Sequence, residues 1–323
     1  MVGVAVGALS LLFEVAYQAY LPSLVGRAAL VEGNAKLAAS GAVVEVGGFA
    51  VAGALVQLLS APITVLVDAA SFLVSSATLL LIRQSEPPPA PAAPGGDHRS
   101  AWGDIREGLG VVLGDPLLRP LAAAELTRQL GVHTWVAMLL LFLTRELHLP
   151  PILFGPLFAI GGISSLGGAL VVERLSRWLG LGPLLIVSVV LASASLLLVP
   201  LAGAPVLVAA VLIGAQQLFD VAGTMAEILQ RTLVQGLSPT RLLGRVSAGL
   251  HLVSWTGMLA GSMLGGLLGE TIGLRETLLI GALAALPSAL WLVCSPIASI
   301  RTLSGGRDDA GPELRSSPPE ARP

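Results

Sequence analysis

Nine stretches of about twenty mostly apolar residues, separated by polar or Pro/Gly-rich breaks, constrain this chain more than any other feature, because each is long enough to cross a hydrocarbon core of about 30 Å. They fall near residues 3–21, 37–58, 62–82, 119–143, 151–172, 181–200, 205–230, 243–268 and 274–295. The runs are continuous and rich in Ala and Leu rather than alternating, so the backbone satisfies its polar groups in lipid as helices and not as a barrel. Charged residues make up 12% of the chain against 54% hydrophobic, with mean hydropathy +0.84, where a soluble domain carries about 25% charged. The fold class expected is therefore an all-α integral membrane bundle.

Several classes of function drop out. The net charge is -2 and no basic block is interleaved with aromatics, which leaves nothing to follow a nucleic-acid backbone. Cys294 is the sole cysteine and the histidines, at 98, 133, 148 and 251, are scattered. No metal cluster, HExxH or Gly-x-Ser-x-Gly element follows from them. No phosphate-binding loop is present, and a gradient-driven carrier needs none. The expectation is a protein that is not an enzyme and holds no cofactor or metal.

The chain divides at residues 86–96, a Pro-rich segment that cannot be helical and has little to bury. It separates a three-helix part over 1–85 from a six-helix bundle over 117–298. The intervening 86–116 reads as a cytoplasmic linker ending in an amphipathic helix, in which Trp102, Ile105, Leu109 and Val112 recur at helical spacing. Residues 299–323 read as a disordered tail. Lys and Arg accumulate in cytoplasmic loops. Arg27, Lys36, Arg83, Arg99, Arg106, Arg119, Arg174, Arg177, Arg231, Arg241, Arg245 and the tail arginines fall on one side, against Arg145 and Arg275 on the other. That places the C-terminus in the cytoplasm and, after nine crossings, the N-terminus outside.

Leu12-Phe-Glu-Val-Ala16 in the first helix returns as Leu218-Phe-Asp-Val-Ala222 in the seventh, an offset of 206. The next two helices correspond in order at a similar distance, as a duplicated half requires. By this offset a complete pair of halves would begin about 87 residues before Met1 with three more helices, a segment expected as a partner of this chain.

Three stretches carry a family resemblance: residues 13–25 (FEVAYQAYLPSLV), residues 67–73 (VDAASFL) and residues 168–177 (GALVVERLSR). On these the chain resembles the major facilitator superfamily, in the branch of bacterial exporters that contains the enterobactin exporter and macrolide efflux proteins. The resemblance implies a twelve-helix pseudo-twofold fold whose fourth to twelfth helices this chain supplies. It also implies a bacterial cell-membrane location and proton-driven efflux of a small molecule, a drug, siderophore or metabolite. Gly168, Glu173, Arg174 and Arg177 then match the cytoplasmic gating loop of the second half, with Glu where the motif often has Asp. The competing readings are a degenerate carrier without transport activity, or a membrane scaffold.

A charge near the bilayer middle costs about 2.5–3.5 kcal/mol on insertion scales, so each such residue is a candidate site. Glu14, Glu45, His133 and Asp220 fall near helix centres and Asp68 about a turn away. Glu14 and Asp220 occupy equivalent repeat positions and are candidates for binding a cationic substrate or a proton, the plainer role being a structural hydrogen bond. Tyr17 and Gln18 are candidate substrate contacts or interfacial anchors. Glu125, Arg128 and Gln129 lie at i, i+3 and i+4 with His133 four further on, a polar stripe expected to face a cavity. For Glu125 and Arg128 the alternative is an ion pair snorkelling near the cytoplasmic end. His133 is the stripe's candidate for proton handling, since imidazole titrates near neutral pH. Gly257, Gly261, Gly265 and Gly269 recur every fourth residue, a smooth face for close helix contact. In the resembled fold that helix packs against the second helix of the first half.

Overall fold

The computed structural model describes residues 29–59, 101–150, 153–203, 205–238 and 242–302, with scattered positions between 25 and 78. The described residues form α1 (Leu30–Leu59), α2 (Ala101–Gly114), α3 (Leu118–Leu141), α4 (Phe154–Leu179), α5 (Leu181–Ser195), α6 (Val206–Leu237), α7 (Leu243–Thr271), α8 (Leu274–Ala285) and α9 (Ser288–Val293). Among the described residues, six stretches are long and apolar enough to cross a membrane: Leu118–Glu146, Phe154–Leu179, Leu181–Leu198, Val206–Leu237, Leu243–Thr271 and Leu274–Val293. The protein is a multi-pass, all-helical membrane bundle. The expected helices at 3–21 and most of 62–82 lie outside the described residues, as do residues 303–323.

Three helix ends run beyond the sequence reading. α1 begins at Leu30 rather than 37, α4 runs to Leu179 rather than 172, and α6 runs to Leu237 rather than 230. At 1.5 Å per residue, the 32 residues of α6 span roughly 48 Å, well beyond the hydrocarbon layer. Hydropathy falls where a helix leaves lipid, but helical hydrogen bonding continues into water. The emergent turns carry i,i+4 pairs: Lys36–Glu32, Arg177–Glu173 and Arg231–Glu227. α4 stops where Gly180 takes φ 91°, a left-handed value that needs glycine. The last span, expected as one helix over 274–295, is broken between α8 and α9 at Pro287, which has no N–H to continue the ladder.

α3 is the axis of the bundle, packed between α7 and α8, while α6 packs against α4 and α5. Both contacts of α3 are backbone-close. A Cβ on Gly131 would stand 2.5 Å from the Ala285 nitrogen, and one on Gly281 would stand 2.8 Å from the Trp135 nitrogen. Thr134 Oγ1 donates to the Gly261 carbonyl at 3.1 Å, and Trp135 Nε1 donates to the Leu196 carbonyl at 3.1 Å. At one end, a π-helical turn over Phe142–Glu146 extends α3. There Arg275 donates to the Pro200 carbonyl at 2.7 Å, approaches Glu146 at 3.6 Å and stacks 5.2 Å over the Phe142 ring.

The other end gathers the C-termini of α4 and α6 and the N-termini of α1 and α7, and is called here the Arg-rich end. α1 packs against α4 and α6. The amphipathic segment forms α2, but it docks on the protein and does not lie free on a surface. Val112 is fully buried, Gly108 lies against the Arg245 carbonyl, and Glu107 pairs with Arg245 at 3.1 Å. The chain after α9 folds back to cap α5, with Gly182 N–H donating to the Ile300 carbonyl at 2.8 Å. That satisfies one of the orphan donors of a helix start.

Candidate functional site

A cavity of about 310 Å³ lies between α3, α6 and α7, in the half of the bundle nearer the Arg-rich end. α3 contributes Glu125, Arg128, Gln129 and His133, α6 contributes Glu227, Gln230, Arg231, Val234 and Gln235, and α7 contributes Ser247, Leu250, His251, Ser254, Trp255 and Met258. α3 and α7 are held together beside the cavity by their glycine contact, and α6 is held by α4 and α5.

Glu125 is the hub. Arg128 reaches it with Nε at 3.2 Å and Nη2 at 3.0 and 3.1 Å, Gln230 Nε2 donates to it at 3.1 Å from α6, and Ser254 Oγ donates to it at 3.0 Å from α7. One carboxylate thus ties all three cavity helices. Its side chain is 9% exposed while that of Arg128 keeps 26%, so the guanidinium is the member of the pair open to the cavity. The bidentate arginine and the two further donors engage both carboxylate oxygens. The choice left open by the sequence, cavity stripe or snorkelling pair, is decided for a buried pair on the cavity wall. His133 is placed in the same cavity, its Nδ1 3.1 Å from the Gln129 carbonyl one turn back. That bond puts the proton on Nδ1 in the neutral ring and leaves Nε2 as an acceptor.

The other expected site residues disperse. Glu14, Tyr17, Gln18 and Asp68 lie outside the described residues, and Glu45 falls on α1 with its side chain outside them. Asp220 is exposed near the middle of α6, its Oδ1 2.9 Å from where a Cβ on Gly223 would stand. It is not among the residues lining the cavity.

Gly168, Glu173, Arg174 and Arg177, expected in a cytoplasmic loop, are all on α4. The helix continues because nothing before Gly180 breaks it, and Glu173 and Arg177 pair at 3.5 Å along it. Gly168 instead serves packing: a Cβ there would stand 2.6 Å from the Val221 carbonyl of α6.

The glycine stripe is a helix interface, but with a different neighbour from the one expected. Cβ atoms on Gly257, Gly261 and Gly265 would stand 2.9, 2.4 and 2.7 Å from the carbonyls of Leu126, Leu130 and Thr134, and one on Gly269 would meet Met138. The stripe is matched to α3 of the same bundle, not to a helix of the first half. It sets the distance between two walls of the cavity.

Two cavity faces were missed in the sequence although both are periodic there. Ser247, His251, Ser254 and Met258 are spaced by four, three and four on α7, and Glu227, Gln230, Arg231 and Val234 by three, one and three on α6, each one side of a helix. On α6 the charges of Glu227 and Arg231 pair along their own helix, and on α7 the hydroxyls stand among apolar residues, so neither stripe stands out without the partner that makes it converge.

The family sequence model described as Major Facilitator Superfamily matches residues 1–254. The chain belongs to the major facilitator superfamily. No protein of curated function matches it by sequence. Among solved structures, one described as a bacterial homologue of the iron transporter ferroportin in its outward-facing state is similar, with TM-score 0.61 and 23% identity. The match covers 84% of this chain and 65% of that one. The likeness is one of fold, and this chain spans 65% of that structure's length. In this superfamily setting α3, α6 and α7 are the helices that meet at the cavity, and α1 packs on α4 and α6.

Proposed function

We propose that the chain forms the substrate-binding part of a secondary active transporter that exports a small organic molecule by alternating access, driven by protons. The resemblance of residues 13–25, 67–73 and 168–177 favours the bacterial exporter branch that includes enterobactin and macrolide efflux proteins. The Lys/Arg asymmetry favours a cell-membrane orientation with the Arg-rich end and the C-terminus in the cytoplasm. The observation that carries the reading is the Glu125 hub: a charge in a membrane helix, satisfied by three helices at once on the wall of a polar cavity. Intramembrane ion pairs of this kind mark substrate or ion paths. The cavity presents side-chain amides, hydroxyls and imidazoles beside Trp255 and Met258, a lining suited to an organic molecule with both polar groups and an apolar face. His133 in that lining, with Glu14 and Asp220 as repeat-related carboxylates, are the proposed proton and substrate groups.

The test is accumulation of a panel of fluorescent dyes and drugs in cells expressing the protein. Lower accumulation that a protonophore abolishes is the expected result. Accumulation equal to vector controls across the panel, with the protein shown in the membrane, would sink the transport reading. Full export by a Glu14→Gln, Asp220→Asn double variant would remove those two carboxylates from it.

A further inference from the structure

We propose that Asn34 is a buried, uncharged latch that joins the two halves of the carrier and holds the Arg-rich end shut beneath the cavity; this rests on the alternating-access reading above. Asn34 lies on α1, ahead of the Pro-rich linker, and its side-chain amide bonds to α6, beyond that linker. Nδ2 donates to Thr232 Oγ1 at 3.1 Å and to Gln235 Oε1 at 2.6 Å. The residues are 6%, 0% and 5% exposed. Thr232 and Gln235 lie two and five positions beyond Gln230, so the farther contact is roughly 7 Å along α6 from the Glu125 hub. Gln235 also lines the cavity. The latch therefore closes the same cavity at the end where access to the cytoplasm would open.

The charges around it cannot do this work. Lys36–Glu32 and Arg177–Glu173 each lie within one helix, and their side chains are 75% and 46%, and 71% and 38%, exposed. Pairs so exposed contribute little and are screened by salt. Lys36 holds the Glu32 carboxyl below its ordinary range, opposed by desolvation, and Arg177 of α4 adds only a smaller lowering influence. In contrast, both N–H groups of the Asn34 amide cross from α1 to α6, and parting the helices breaks two buried hydrogen bonds that water must replace. Being neutral, the latch releases without moving a charge out of lipid.

The test uses the full chain in inside-out membrane vesicles, with Cys294→Ser and a Ser247→Cys reporter. Ser247 lines the cavity and is 6% exposed. The readout is the rate of labelling by a membrane-impermeant maleimide. Asn34→Ala is expected to speed labelling about tenfold, the loss of about two buried hydrogen bonds, and Thr232→Val, which keeps shape, about threefold. Asn34→Ala with Gln235→Ala should label no faster than Asn34→Ala alone. Thr232→Val carries the test if Asn34→Ala fails to insert. A folded latch variant labelling at the parent rate overturns the proposal, as does a Glu173→Gln, Arg177→Gln variant that speeds labelling where the latch variants do not. If parent labelling ignores an imposed proton gradient, alternating access itself fails; if it responds and the latch variants leave it unchanged, only the latch fails.

Discussion

Separating the two members of the Glu125–Arg128 pair is the perturbation whose cost the geometry states most directly. Glu125→Ala removes an acceptor used by Arg128, Gln230 and Ser254 at 3.0–3.2 Å. It strips the guanidinium of its hydrogen-bonded carboxylate and leaves only the weaker influence of Glu227 and Asp220. Stranding one charge of a buried pair costs about 3–5 kcal/mol. Because Arg128 keeps 26% of its side chain open, water can reach it, and the expected loss sits at the low end, about 3 kcal/mol. Replacing both members, Glu125→Leu with Arg128→Met, removes the stranded charge and should restore most of that loss. Stability read as thermal unfolding of purified protein in detergent should then rank parent and double variant close together, with Glu125→Ala well below both. Export should be lost in both variants, since the double variant keeps the packing but not the ions. A Glu125→Ala protein as stable as the parent would refute the reasoning. A double variant that still exports would make the pair structural.

Gly261→Val places a Cβ where the Leu130 carbonyl oxygen stands 2.4 Å away, so α3 and α7 must part. The expected cost is about 1–3 kcal/mol or more by over-packing, checked by the same thermal assay, whereas the equivalent change at Gly266, with nothing within 4 Å, should be near neutral. His133→Ala should alter the pH profile of dye export measured in vesicles, and an unchanged profile would end its proton role. Arg275→Ala removes the bond to Pro200, the Glu146 contact and the stack on Phe142 together. It should lower thermal stability by about 1–3 kcal/mol without changing the labelling response at the Arg-rich end.

Much of the architecture is readable from residues alone, because a bilayer admits few solutions. Helices over 119–143, 181–200 and 243–268 are found within a few residues of those limits. What misleads is charge. Lys36, Arg177 and Arg231 look like the ends of helices, yet each pairs one turn back along its own helix, and the helix runs on into water. The candidate site was legible only on α3, where Glu125, Arg128, Gln129 and His133 stand out against an apolar helix.

The sequence by itself determined that this chain crosses a membrane repeatedly as helices, because no other structure of such composition satisfies its backbone in lipid. It also determined that α3 and α7 each carry a distinctive stripe, one polar and one of glycine, since helical periodicity is written in the spacing of residues. Which stripe meets which neighbour was decided only by the tertiary structure. The glycines of α7 fit the carbonyls of α3, Glu125 finds Gln230 and Ser254 more than a hundred residues away, and Asn34 finds Thr232 and Gln235 across the linker. Such partners are chosen by packing between surfaces, and a one-dimensional pattern records each surface but not its mate.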